Sequence, residues 1–175
     1  MNSAKILKLA GLVLLSLPSL ALAHASFAGT WSLDKAASRG LPPHVAASPK
    51  YQLTVTQTPD TLSVDIHVET GRPERPSFDQ RFSYRLDAKE TMVESEVLTG
   101  SGPIKVPTTL RAEPSKDGSL LLTITRELSR GGDTLRVVTK EIWKLTDEGK
   151  RLSIHRDDER PDGSHTVYDM AFGKQ

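Results

Sequence analysis

The residues best able to do chemistry in this chain are Glu141, Arg156 and Tyr168, with Arg126 upstream of them. Glu141 lies between Thr139 and Trp143 on the apolar parity of its segment, so its carboxylate shares a face with hydrophobic side chains. A carboxylate, a guanidinium and a phenol above an apolar floor can hold the polar end of an amphipathic molecule. Arginine's planar fork serves an internal acid and still bonds a carboxylate or carbonyl of a ligand. The same groups can also satisfy one another, with Glu141 paired to Arg156 and Tyr168 donating to a spare lone pair. A third use of Glu141 is as a general base in a small hydrolase or isomerase. Arg126, on the inward parity, reaches either the same interior or water.

Other constellations are weaker. His155, Asp157 and His165 are the metal-ligand types closest together, but alternation places them on an outward face. There His155 stands opposite Asp169 and His165 opposite Glu159, too far apart to converge on one ion. His67 shares its face with Ser63, Asp65 and Glu69 and reads as a surface residue, while His24 and His44 fall in segments expected to be mobile. Gly100-Ser101-Gly102 lacks the strand-turn-helix context of a nucleophile elbow. No H-E-x-x-H, phosphate loop or dinucleotide fingerprint is present. No metal, cofactor or catalytic residue is therefore expected.

The elements that must position these side chains read as β. Alternating segments cover 27–33, 51–58, 61–68, 78–86, 91–98, 104–113, 119–129, 133–146, 150–159 and 164–172. Lys35-Ala36-Ala37 has room for one helical turn before Gly40, Pro42, Pro43 and Pro49 break the chain. Five turns fix the register, because a slip of one residue would flip a strand's faces. A two-residue Pro59-Asp60 loop sets 51, 53 and 55 on the same side as 62, 64, 66 and 68. Ser115 to Gly118 pairs Leu110 with Ile124; Gly131-Gly132 pairs Leu128 with Leu135. The loop Asp147 to Lys150 pairs Trp143 with Ile154, and Arg160 to Gly163 pairs Ile154 with Met170.

These registers place Glu141, Arg156 and Tyr168 on one rung across three strands. Thr139, Asp158 and Thr166 form the rung toward one end. Trp143, Ile154 and Met170, then Leu145, Leu152 and Phe172, form an apolar floor toward the other. Short connections at 59–60, 87–88, 116–118 and 147–150 gather at the floor. Longer connections at 69–77 and 99–103 are expected at the opposite end, and the outline is a cup.

Composition sets the outer limits. Lys plus Arg number 23 against 22 Asp plus Glu, a formal charge of +1, which excludes the basic excess of a nucleic-acid binder. With no cysteine there is neither a disulfide framework nor a thiolate site. Residues 1–23 resemble a signal peptide: Lys5 and Lys8, an apolar run from Leu9 to Leu17, Pro18, and Ala21-Leu22-Ala23 before His24. The expected product is periplasmic or secreted, with no integral membrane segment after processing. Residues 24–50 hold the first strand and a proline-rich connection, and 51–175 complete a single domain with 26–33.

Phe27-Ala28-Gly29-Thr30-Trp31-Ser32-Leu33 resembles the N-terminal G-x-W signature of the calycins, the lipocalins and fatty-acid-binding proteins. The first strand with Trp, an insertion and nine meandering strands resemble the latter in outline. So does the Asp-x-Gly-Lys-x-Leu turn, here Asp147 to Leu152, with that of exported bacterial lipocalin-like proteins. The last strand reads Thr166-Val167-Tyr168 where fatty-acid carriers have Arg-x-Tyr. The resemblance implies an all-β antiparallel up-and-down meander of about ten strands closing into a barrel, with Trp31 shutting its narrow end. It also implies a small amphipathic or lipid-like ligand inside; the alternative is a ligand-free structural or protein-interaction module of the cell envelope.

Overall fold

The computed structural model describes residues 25–99 and 102–175. The leader expected over 1–23, His24, and Gly100-Ser101 lie outside the described residues. Ten strands follow one another: β1 Gly29–Arg39, β2 Lys50–Gln57, β3 Thr61–Arg72, β4 Arg75–Arg85 and β5 Thr91–Thr99. Then come β6 Gly102–Pro114, β7 Leu120–Arg130, β8 Asp133–Thr146, β9 Arg151–Glu159 and β10 His165–Lys174. All neighbours are antiparallel, in the order β4-β3-β2-β1-β10-β9-β8-β7-β6-β5. Because β1 bonds to both β2 and β10, the sheet curls into a nearly closed barrel whose two free edges, β4 and β5, face each other. Gln80 on β4 donates to the Glu96 carbonyl of β5 at 3.1 Å across that seam. Among the described residues no helix is long and apolar enough to cross a membrane.

Every turn register read from the sequence is present. Leu53 pairs with Ile66, Leu110 with Ile124, Leu128 with Leu135, Trp143 with Ile154, and Ile154 with Met170. The Gly131-Gly132 turn needs positive φ at both positions, and these are 62° and 92°, the conformation that follows the right-handed twist of the flanking strands. Every strand but β5 sends buried residues into one core that includes Trp31, Leu53, Leu62, Leu122, Trp143, Leu152, Ile154, Met170 and Phe172, and β5 packs partly buried Val93 against it.

Three local expectations are corrected. Lys35-Ala36-Ala37 makes no helical turn; β1 runs on to Arg39 through a register shift against β10. Asp34 accepts the Ala37 N–H there, and the Ser38 hydroxyl accepts the Ala171 N–H at 3.0 Å, so side chains bridge the shift and the strand persists. An α-helical turn forms instead at α1, Pro43–Ala46, where proline costs no hydrogen bond in the first turn. The connection expected at 69–77 is a tight one: β3 extends to Arg72 and β4 starts at Arg75. Likewise β5 ends at Thr99 and β6 starts at Gly102, so 99–103 is no long loop. Polar residues at 69–72 read as loop because they lack an apolar alternation, but ladder pairing with β4 carries them as strand. The longest connection at the wide end is therefore 40–49. Fully buried Ser48 anchors it, its hydroxyl 2.7 Å from the carbonyls of Lys50 and Glu69, with the Lys35 ammonium on its own carbonyl.

Candidate site: a cavity with a charged wall

The barrel encloses a cavity of about 860 Å³ that runs from the floor to α1 and the turns beside it. Its floor is apolar. Trp143, Ile154, Met170 and Phe172 are all buried and stand on consecutive inward positions of β8, β9 and β10. Beneath them Trp31 is fully buried, its indole N–H donating to the Phe27 carbonyl at 2.9 Å. Phe27 meets Trp143 edge-on, with centroids 5.9 Å apart. Lys174 lies over the Trp31 ring at 5.1 Å. Gly29, with φ at +142°, gives this lysine its path, since a side chain there would meet the Lys174 methylenes.

The wall formed by β8, β9 and β10 carries the charges. Glu141 pairs across the ladder with Arg156, and Arg156 with Tyr168, as the turn registers require. Arg156 Nη1 donates to Glu141 Oε1 at 3.0 Å, and its Nε to Asp158 at 3.1 Å. One guanidinium thus serves two carboxylates. The second Glu141 oxygen takes the Trp143 indole N–H at 2.8 Å. Asp158 also accepts the Thr139 hydroxyl at 2.6 Å and the Tyr168 hydroxyl at 3.4 Å. Tyr168 therefore donates to Asp158 on the next rung and not to Glu141. A tyrosine is long enough to pass its own rung and bond the next one, while Trp143 sits two residues from Glu141 on the same face. Arg156 lies 5.8 Å from the centroid of the Tyr168 ring.

Burial disfavours the charged form of Arg156, but Glu141, Tyr168 and Asp158 outweigh it and hold its pKa above the ordinary value. The phenols that face the cavity shift with it. Burial pushes Tyr51 up to about 12, and raises Tyr84 and Tyr168 as well.

Arg126 is the exception among the charged groups. It stands opposite Thr108 and Val137, two inward positions nearer the wide end than Leu122, the partner of Glu141. From β7 its guanidinium reaches the Phe82 ring of β4, 5.7 Å from the centroid. Its Nε is buried and hydrogen-bonded to nothing among the described residues. Burial and then the nearby Arg156 charge both push its proton affinity down.

The structure thus brings Glu141, Arg156 and Tyr168 to one wall, sets Trp143, Ile154 and Met170 below them, and leaves Arg126 apart. Sequence reasoning missed two participants, Asp158 and the Trp143 N–H. Both were legible in part: Asp158 stands two residues after Arg156 on its face, and Trp143 two after Glu141. The outward histidines pair with acids, His155 with Asp169 and His67 with Asp79 at 2.7 Å each, and His165 with Asp157 at 2.8 Å. His44 sits in α1 at the rim of the cavity. Comparison of the chain with protein-family models, with curated proteins and with solved structures finds no match.

Proposed function

We propose that the protein is an exported, lipocalin-like barrel that holds a small amphipathic or apolar molecule in its interior. The observation that carries this reading is the cavity of about 860 Å³, with an apolar floor and charged groups on its upper wall. That volume falls in the range of small-molecule sites, and the few polar groups on an apolar surround suit a ligand with one polar end. Export rests on the features of residues 1–23, which point to a periplasmic or secreted product. The G-x-W segment at Gly29 to Trp31 and the ten-strand meander are the features shared with calycins. Glu141, Arg156, Tyr168 and Arg126 are the polar groups from which such a ligand's polar end would draw its contacts.

A second reading has one observation in its favour. Glu141, Arg156, Asp158, Trp143 and Tyr168 form a set of mutual bonds that is complete without a ligand, as in a structural polar core. On that reading the protein is an interaction or structural module of the cell envelope. Native mass spectrometry of the protein purified from its own host separates the two. A co-purifying small molecule released on denaturation supports the binding function; a mass equal to the processed chain alone, from fresh and gently handled protein, supports the module.

A further inference from the structure

Arg72 lines the cavity only as an exposed rim residue; the two arginines further in, Arg126 and Arg156, are not equivalent, and the difference has a consequence for any ligand. Arg156 spends its fork on Glu141 and Asp158. Arg126 has no such partner: no carboxylate of the described residues pairs with it, its Nε is a buried unpaired donor, and one face lies against Phe82. A buried donor without an acceptor costs stability, and a guanidinium in apolar surroundings attracts an oxyanion strongly. Arg126 is also placed high. Its strand runs from the floor at Leu120 to the wide-end turn after Arg130, and Arg126 is two inward positions above Leu122. Below it the β2, β3 and β7 walls present Leu53, Val64, Ile66, Leu122 and Ile124, without a charge among them.

Resting on the binding function above, we infer that Arg126 is the headgroup station of the cavity. The ligand is an amphipathic molecule with a single oxyanion, seated head toward α1 and tail toward the Trp143 floor. The apolar body runs down the lumen between the β2–β3 wall and the Leu122–Ile124 face of β7, which adjoins the Glu141–Arg156–Asp158 network. One unpaired guanidinium neutralises one negative charge. A second negative charge would face Glu141 and Asp158, which already share Arg156, so a dianionic head is disfavoured.

The test uses palmitate and hexadecanol, which share a chain and differ in charge, with titration calorimetry on the processed protein. Wild type binds both and prefers palmitate by about tenfold or more, the size of one charge-assisted contact. Arg126→Met abolishes that preference by lowering palmitate affinity more than hexadecanol affinity; Arg126→Lys, which keeps the charge and loses the fork, falls between and guards against a misfolded methionine variant. Orientation is read independently from tryptophan quenching, since Trp143 and Trp31 both belong to the floor. Stearate with a nitroxide near its methyl end quenches them more than stearate with the nitroxide near its carboxylate. A palmitate preference unchanged in both Arg126 variants, or stronger quenching by the carboxylate-side label, overturns the inference while the binding function stands. Failure of wild type to bind either lipid overturns both.

Discussion

The narrow end of the barrel and the cavity above it use the same strands to opposite ends. At the narrow end large rings fill the space: Trp31 bonds the Phe27 carbonyl, and Phe27 packs on Trp143. Higher up, the same strands enclose a volume they do not fill, and the charged groups are answered unequally. Arg156 has two acids, and Arg126 has none among the described residues. The lesson is one of division. Close packing at one end supplies the stability that lets the other end hold a cavity and carry an unanswered charge.

The sharpest way to break this contrast is at Trp31. Trp31→Ala removes a fully buried ring from the filled end and is expected to cost about 3–5 kcal/mol in urea denaturation. A loss below about 1 kcal/mol, the range of surface substitutions, would mean that the narrow end is not where stability resides.

The charged wall comes next. Glu141→Gln keeps the shape but withdraws a carboxylate that accepts from both Arg156 and Trp143. We expect a loss of about 1–3 kcal/mol, smaller than at Trp31 because Asp158 still holds Arg156. Thermal unfolding of the variant beside wild type measures it. A gain in stability would show that the network strains the barrel.

Gly29→Ala tests how the narrow end admits Lys174. The lysine's far end can swing aside, so the loss comes from forcing a side chain into a φ of +142°, at about 1–2 kcal/mol. The displaced ammonium leaves the Trp31 ring, so a shift in tryptophan emission accompanies the loss. An unchanged emission spectrum would detach Lys174 from the packing of that end.

The smallest effect belongs to the cavity's phenols. Tyr51 ionises near 10.0 when the chain is unfolded and at about 12 in the barrel. Since the folded value is the higher one, its contribution to stability is complete below pH 10 and is lost as pH rises through 12. A spectrophotometric titration should show Tyr51 ionising about two pH units late, and Tyr51→Phe should weaken the alkaline fall in stability. Ionisation of all three tyrosines together near pH 10 would mean that the cavity is wetter than its lining implies.

Much of the architecture is legible in the sequence. The parity of Tyr51, Leu53 and Val55 against Leu62, Val64 and Ile66, joined by two turn residues, admits one register, and β2 and β3 have it. The Glu141–Arg156–Tyr168 rung followed from two turns for the same reason. Lys35-Ala36-Ala37 reads as a helical turn because Lys and Ala favour a helix, whereas β10 offers a partner and Ser38 bridges the irregular step. The stretch after Val68 was misread because an exposed strand at a barrel rim needs no apolar alternation.

What the chain determines by itself is the set of faces. Strand period and turn length are local properties, so five turns together decide which side chains enter the barrel. What only the tertiary structure decides is which inward groups meet. Whether Arg156 is taken by Glu141 alone or shared with Asp158 depends on side-chain reach between rungs. That Arg126 of β7 finds a ring of β4 instead of an acid depends on how the sheet curls, bringing together strands separated in the ladder by six others along the closed side of the barrel. Registers are set pairwise along the chain; distances across a lumen are set only when the sheet closes.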